Sequence, residues 1–147
     1  GGSIDDISPF DHMLKVKSMG EECLREAEEA MKTVPKEHML EAQKTCDWMK
    51  GYQLLSRYYE RKVAAGVYAL KYAHGRNAGD KAQAEKAADE ALAVYLEAAE
   101  FWRTHLTPIM MEISGQPMRE VLANLNIDQL IESERSDRQQ IGQIFNW

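Results

Sequence analysis

The stretch KEHMLEAQKTCDWMKGYQLLSRYYERKVAAGVYALKYAH, residues 36–74, decides the fold. It contains no proline and only two glycines, and long and aromatic side chains are dense along it. This composition predicts one continuous helix, which would span roughly 58 Å at about 1.5 Å per residue. No other predicted helix is as long, so we expect the others to pack around this one.

The long helix carries two apolar stripes, which lie roughly 120° apart when residues are projected at about 100° each. The first, which we call stripe 1, comprises Trp48, Tyr52, Leu55, Tyr59, Val63, Gly66, Leu70 and Ala73. The second, stripe 2, comprises Leu54, Tyr58, Ala65, Tyr68 and Tyr72, and the polar side comprises Gln53, Arg57, Glu60 and Lys71. Stripe 1 is predicted to form the core, whereas stripe 2 is predicted either to join it or to form an exposed groove. Gly66 predicts a close crossing with a neighbouring helix near Ala87.

A shorter helix is predicted on the N-terminal side of the long one. Ser8 supplies an N-cap oxygen, and Pro9 stands at the first helical position, where its missing N–H costs nothing. The helix is predicted to end before Pro35. Its apolar residues at three-and-four spacing are Phe10, Met13, Leu14, Cys23, Leu24, Ala27, Met31 and Val34.

Two more helices are predicted on the C-terminal side. A glycine-containing turn precedes an alanine-rich helix over 81–106, which Pro108 either closes or kinks. After a loop and a short helix at 118–123, Asn126 caps the last helix. Short connections predict an all-α, up-down-up-down helical bundle with one long central helix at about 36–74.

The chain is predicted to hold one domain. Its 147 residues suffice to bury a single hydrophobic core, so residues 9–147 are predicted to form one helical bundle. Residues 1–8 are predicted to be a lead-in, because Gly1-Gly2-Ser3 without an initiator methionine is typical of a piece processed from a longer chain.

The net charge and the hydropathy of the chain limit the classes of partner that it is predicted to bind. A net charge of -6 disfavours nucleic acid and anionic membrane surfaces, since both attract basic patches. No stretch approaches the length of a membrane span, and no basic segment precedes an apolar one as in a signal peptide. Neither nucleic acid nor membrane insertion is therefore predicted.

Cys23 and Cys46 lie at similar distances from the turn between the first two helices. A disulfide needs Cα atoms about 5.5 Å apart, whereas packed helix axes lie roughly 8–10 Å apart. The pair is therefore predicted to be either a disulfide at a tight crossing or two buried free thiols.

Known metal and catalytic spacings are missing from the sequence. The residues three positions before the histidines are Pro9, Pro35, Lys71 and Trp102, so the Glu-x-x-His pattern of di-iron bundles does not occur. No cofactor or metal is predicted, and the acidic residues are interpreted as solvated helix faces. A hydrolase with paired carboxylates would need them about 5 to 10 Å apart across a cleft, and this chain is predicted not to be an enzyme.

Tyr58, Tyr68 and Tyr72 of stripe 2 are the candidate binding residues. Tyrosine rings stack on sugars and anchor protein interfaces, so an uncovered part of stripe 2 could contact a glycan or a neighbouring domain.

A longer pattern runs over residues 50 to 140. It comprises Leu54-Leu55-x-x-Tyr58-Tyr59-x-x-Lys62-Val63-x-Ala65, Gly79-Asp80, Ala91-Leu92-x-x-Tyr95 with Trp102, and Asn126-Ile127-Asp128 with Asp137. This pattern resembles the helical region that follows the catalytic part of large secreted bacterial glycoside-hydrolase-like proteins. It contains no residue to which a family function can be assigned.

The resemblance implies a non-catalytic accessory domain of an exported carbohydrate-processing protein, located in the periplasm or at the cell surface. Such a domain would pack on neighbouring domains of the parent chain and could contribute to glycan contact. The residues themselves leave an alternative open, a helical protein–protein interaction module unrelated to sugars, which would take up a partner helix in an apolar groove.

Overall fold

The computed structural model describes residues 8–113, 115 and 126–144, except the side chains of residues 111–113 and 144. Its helices are α1 (Pro9–Met31), α2 (Met39–Gly75), α3 (Ala78–Phe101), α4 (Thr107–Ile113) and α5 (Ile127–Ile144), with a 3-10 turn at Lys36–His38 and a π-helical segment at Trp102–Leu106. The described ranges contain no strand, so the predicted all-α class and the long central helix are confirmed. The short helix predicted at 118–123 lies outside the described residues.

Polar side chains and one left-handed residue fix the helix ends. The Ser8 Oγ accepts a hydrogen bond from the Asp11 N–H at 3.0 Å, and the Asn126 Oδ1 accepts one from the Gln129 N–H at 3.0 Å, as the capping pattern predicts. Between α2 and α3 the chain turns at Arg76, whose φ is 55°. The left-handed position therefore falls on an arginine and not on the glycine before it.

The alanine-rich helix does not end at Pro108. It passes through the π-helical segment, where the Thr107 N–H donates to the carbonyl of Trp102, and it continues as α4. Proline has no N–H, and its ring crowds the carbonyl four residues earlier. The wider π turn accommodates this ring. Of the two predicted alternatives, closure at Pro108 is therefore wrong, and the helix runs on through the proline.

Ion pairs place α5 beside α3 in the opposite direction. The Arg103 Nη2 lies 2.6 Å from the Asp128 Oδ1, and the Arg138 Nε lies 2.6 Å from the Asp89 Oδ1. Rising residue numbers in α5 thus meet falling numbers in α3.

α1 and α2 are antiparallel, because Lys17 meets Glu60 while Gly20 meets Ser56. α2 and α3 are antiparallel too, because Tyr58 meets Tyr95 while Ala65 lies with Ala87 and Ala88. The predicted up-down-up-down order is therefore confirmed.

Stripe 2 of α2 and the small residues of α3 form the core. Leu54 is fully buried, and Tyr58 packs against Ala91, Val94 and Tyr95. A second buried cluster comprises Ala64, Ala65, Ala87 and Ala88, with Phe10 and Ile141 packed against it. Alanines on both helices permit a close approach, so α3 covers stripe 2 over Leu54, Tyr58 and Ala65, while Tyr68 and Tyr72 farther along are half-buried.

α1 packs on the polar side of α2 and not on stripe 1. Gln53, Ser56 and Glu60 are buried, and a Cβ on Gly20 would lie only 2.8 Å from the Ser56 Oγ. The Lys17 ammonium lies 4.0 Å from the Glu60 carboxylate. α1 can rest on polar groups because it brings a glycine and a cation to them, and none of its own residues is buried.

No residue of stripe 1 is buried, so the prediction that this stripe forms the core is wrong. Tyr52, Tyr59 and Leu70 are 59%, 52% and 53% exposed, and the other members are half-buried. The reason is the placement of the neighbours, because α1 takes the polar side of α2 and α3 takes stripe 2. The remaining sector of α2 is uncovered by the described residues.

Gly66 lies in open space. Among the described residues, an ideal Cβ at this position would meet no atom within 4 Å outside its own helix neighbours, so the predicted close crossing near Ala87 is wrong. A glycine in the middle of a helix costs about 1 kcal/mol relative to alanine, and no packing in the described part of the chain requires it.

Gly66→Ala is therefore expected to raise the free energy of unfolding by roughly 0.5 to 1 kcal/mol. Denaturant unfolding at low protein concentration measures this gain. Gly51→Ala is the matched control, because a Cβ there would lie 2.5 Å from the Cδ1 of buried Leu106, and no gain is expected. An equal gain at both positions would contradict the difference in packing.

Candidate functional site

Stripe 1 is the apolar surface that α2 leaves open. Trp48 and Tyr52 stack at its N-terminal end, with ring centroids 6.2 Å apart. Tyr59 follows one heptad after Tyr52, and Leu70 ends the exposed part. From Trp48 to Ala73 the stripe extends about 38 Å at 1.5 Å per residue, so it is long enough to contact a partner over several helical turns.

A groove of about 240 Å³ adjoins the N-terminal half of stripe 1. Its lining is apolar and comprises Gly51, Leu55, Tyr95, Ala98, Ala99, Trp102, Leu106, Ile127 and Leu130. Leu55 belongs to stripe 1, and Leu130 of α5 is itself an exposed large apolar side chain. The uncovered surface thus continues from α2 onto α5.

A second groove, of about 330 Å³, lies at Gly66 between α2, α3 and α5. Its lining includes four small residues, two larger apolar ones and four charged ones: Ala65, Gly66, Ala88 and Ala91, then Leu92 and Ile141, then Lys62, Glu134, Asp137 and Arg138. The small residues leave room for a bulky side chain, and the missing Cβ of Gly66 enlarges that room. This groove also opens on stripe 1, because Gly66 is a member of the stripe.

A charged cluster lies on another side of α2, where α1, α2 and α3 meet. The Arg61 Nε donates to the Glu60 Oε2 at 2.6 Å, its Nη2 donates to the Glu60 Oε1, and its Nη1 donates to the Glu90 Oε2 at 3.0 Å. Glu60 is only 1% exposed. The nearby Arg57 lies 3.5 Å from the Glu97 carboxylate. A groove of about 510 Å³ lies here, and its charged lining comprises Lys17, Arg57, Arg61, Glu60 and Glu90.

Hydrogen bonds from Arg61 lower the pKa of Glu60, burial acts in the opposite direction, and the charges of Arg61 and Lys17 lower it further. The same hydrogen bonds raise the pKa of Arg61. Both groups therefore stay ionised at neutral pH. A carboxylate held in this state by its own helix suits a structural contact with α1 better than proton transfer.

Tyr58 connects α2 to α5. Its hydroxyl donates to the Glu134 Oε1 at 2.7 Å, and the Lys62 ammonium donates to the Glu134 Oε2 at 2.9 Å. Burial is the main cause that raises the pKa of Tyr58, and the hydrogen bond to Glu134 adds to it. The ring of Tyr58 also packs against Tyr95, with centroids 5.1 Å apart.

The predicted binding tyrosines are not brought together into one open site. Tyr58 is buried in the core, so it cannot offer its ring to a sugar from solvent. Tyr68 and Tyr72 are half-buried, and each carries a cation over its ring, from Lys71 at 5.2 Å and from Arg76 at 5.3 Å. Glycan contact at Tyr68 and Tyr72 stays a prediction.

The two cysteines are free, with Cys23 exposed and Cys46 buried. The alternative of two buried thiols holds for Cys46 and not for Cys23, and no bond joins the two sulfur atoms in this structure. The inner face of α1 at this level is occupied by Leu24, which lines a groove with Glu28, Met31 and Cys46. Cys23 precedes Leu24 and so points about 100° away from that face. Burial is the main cause that raises the pKa of the Cys46 thiol.

Among the described residues, no three His, Cys, Asp or Glu side chains are grouped so that they could hold a metal ion. His12, His38, His74 and His105 are all exposed and lie far apart along the fold. In the same part of the chain, no helix combines the length and apolar character needed to cross a membrane.

Comparisons with protein-family models, with curated proteins and with solved structures give no match to this chain.

The sequence predicted the two apolar stripes of α2 correctly, but it predicted incorrectly which of them the neighbouring helices cover. The missed signal lies in α1, where Lys17 and Gly20 occupy the inner face between Met13 and Leu24. A helix with a cation and a glycine on its inner face matches a polar partner surface. That match would have placed α1 on Ser56 and Glu60 and left stripe 1 open.

Proposed function

We propose that this domain is a helical docking module that binds another protein surface through stripe 1. The observation that carries the proposal is the exposure of Tyr52, Tyr59 and Leu70 on one line of the longest helix. Contiguous exposed apolar surface is typical of protein interaction sites, and tyrosine and tryptophan are enriched among the residues that dominate binding energy.

The composition of stripe 1 favours a protein partner over a sugar. Leu55, Val63 and Leu70 offer no hydrogen bonds, whereas a sugar-binding surface must satisfy hydroxyl groups as well as supply a ring to stack on. The apolar groove at Leu55 and the groove at Gly66 are depressions along the stripe that side chains of a partner protein can fill.

The resemblance described above supports a setting for this docking function. In that setting the domain is a non-catalytic accessory part of an exported carbohydrate-processing protein, and stripe 1 packs on a neighbouring domain of the parent chain. The alternative setting is an interaction module unrelated to sugars. Both settings require stripe 1 to be covered by protein.

Hydroxyl-radical footprinting with mass spectrometry tests the docking function. In the isolated 147-residue chain at low concentration, Tyr52 and Tyr59 are expected to be labelled quickly and buried Tyr58 slowly. In the longer polypeptide that the resemblance implies, labelling of Tyr52 and Tyr59 is expected to fall severalfold while that of exposed Met19 stays unchanged. Equal labelling of the two tyrosines in both samples would reject docking on a neighbouring domain.

A further inference from the structure

We propose that stripe 1 also binds stripe 1 of a second copy, so that two α2 helices pack antiparallel about a two-fold axis. This inference rests on the proposed docking function and names a second copy of the chain as an occupant of the same surface. It is carried by the distribution of side-chain size along the stripe, by the groove at Gly66, and by the length of the uncovered surface.

Side-chain size is distributed unevenly along stripe 1. The N-terminal half holds Trp48, Tyr52, Leu55 and Tyr59, and the C-terminal half holds Val63, Gly66, Leu70 and Ala73. Two copies in parallel would place bulky residues against bulky residues and glycine against glycine, which leaves clashes and voids. Two antiparallel copies place the bulky half of each against the small half of the other, as close packing requires.

A two-fold axis between residues 62 and 63 gives each position n the partner 125 − n, since 62 + 63 = 125. The pairs are then Tyr59 with Gly66, Tyr52 with Ala73, and Leu55 with Leu70. An interface of this symmetry is self-complementary, because each contact occurs twice. The exposed ring of Tyr59 in one copy thus faces Gly66, which has no side chain, in the other.

The groove at Gly66 is the receptor for Tyr59 in this arrangement. It has a volume of about 330 Å³ and four small residues in its lining, and Tyr59 is a half-exposed ring on the same line of α2. The glycine costs stability in the single chain, and a Cβ there would meet no atom of the described residues within 4 Å. Docking of Tyr59 from the second copy supplies the contact that the isolated fold lacks.

The uncovered area of α2 is about half that of a standard interface, so a weak, concentration-dependent dimer is expected. The stripe is about 38 Å long and a helix is about 10 Å wide, so α2 alone offers roughly 400 Å² of the roughly 800 Å² per partner in a standard interface. Exposed Leu130 beside the stripe adds to this area. Lys62, at the axis, donates to Glu134 at 2.9 Å and lies 4.0 Å from exposed Asp137 of its own chain. The axis therefore brings together two cations, each already paired within its own chain, and four carboxylates.

Sedimentation velocity of the 147-residue chain, from micromolar to several hundred micromolar, tests the association. A concentration-dependent dimer is expected. Gly66→Leu fills the receptor groove and is expected to raise the dimer Kd by about 100-fold. Leu40→Ser is the control, because Leu40 is 68% exposed and lies outside stripe 1, and its Kd is expected to match that of the unchanged chain.

Disulfide trapping tests the register. In chains carrying Cys23→Ser and Cys46→Ala, one pool receives Leu55→Cys and the other Leu70→Cys. Oxidation of the mixed pools is expected to give a covalent heterodimer, and each pool alone is expected to stay unlinked. Linkage of the Leu55→Cys pool with itself would overturn the antiparallel arrangement.

A chain that stays monomeric over the whole concentration range would overturn self-association, as would a dimer unaffected by Gly66→Leu. Neither outcome touches docking on a neighbouring domain, which the footprinting of Tyr52 and Tyr59 in the longer polypeptide decides separately. If Gly66→Leu loses its helical circular dichroism, Tyr59→Ser takes its place as the test. This substitution removes the ring that docks in the groove at Gly66, and it is expected to weaken the dimer equally.

Discussion

Leu54→Ala is expected to lower the free energy of unfolding by about 3 to 4 kcal/mol, because it opens a cavity in the core. Leu54 is 0% exposed and lies on the side of α2 that α3 covers. Leu70→Ala is the matched substitution on the same helix. Leu70 is half-exposed on stripe 1, so its loss in a monomer is expected to cost less than about 1 kcal/mol.

Urea unfolding of both variants measures the two costs, at a concentration low enough to keep the chain monomeric. The comparison decides which stripe of α2 is core, since the residue types and the substitution are identical. Equal costs would contradict the exposure of stripe 1. A larger loss of unfolding free energy for Leu70→Ala would support the prediction from the sequence alone that stripe 1 forms the core.

Glu60→Gln is expected to lower the free energy of unfolding by about 3 kcal/mol, because it removes one partner of a buried ion pair. The change leaves Arg61 without the carboxylate that accepts two of its hydrogen bonds. It also removes the negative charge that lies 4.0 Å from the ammonium of Lys17 of α1. Glu97→Gln is the control, because Glu97 is exposed and its pair with Arg57 is expected to contribute less than about 1 kcal/mol.

The effect of Glu60 depends on pH in a defined direction. The pKa of Glu60 is lower in the folded chain than its ordinary value, so folding favours the ionised form. The contribution of Glu60 to the free energy of unfolding is fully present above the pKa of a glutamate in the unfolded chain, about 4.3. It is lost as pH falls through the lower pKa of Glu60 in the folded chain. The stability difference between the unchanged chain and Glu60→Gln is therefore expected to shrink below about pH 4, and a constant difference down to pH 2 would contradict this mechanism.

Local sequence signals predicted the helices well. The capping oxygens of Ser8 and Asn126 act within one helical turn, and the long proline-free stretch stabilises α2 through its own backbone. These effects need no knowledge of distant residues. The exception is the turn at Arg76, where an arginine adopts the left-handed conformation that glycine usually takes.

Pairing between helices could not be predicted in the same way. An apolar stripe shows that a surface favours burial, but it does not name the helix that buries it. The alanines of α3 favour a close approach to Leu54 and Tyr58, and Lys17 of α1 favours a polar surface with Glu60. Each preference is visible only when two distant segments are compared.

The sequence by itself determined that this chain is a helical bundle around one long helix with two apolar sides. Periodicity, capping and the spacing of proline are local properties, so they do not depend on which distant segments meet. Only the tertiary structure decided which apolar side is buried. That choice depends on the relative sizes and charges of α1 and α3, which together cover stripe 2 and the polar side of α2 and leave stripe 1 open as the candidate docking surface.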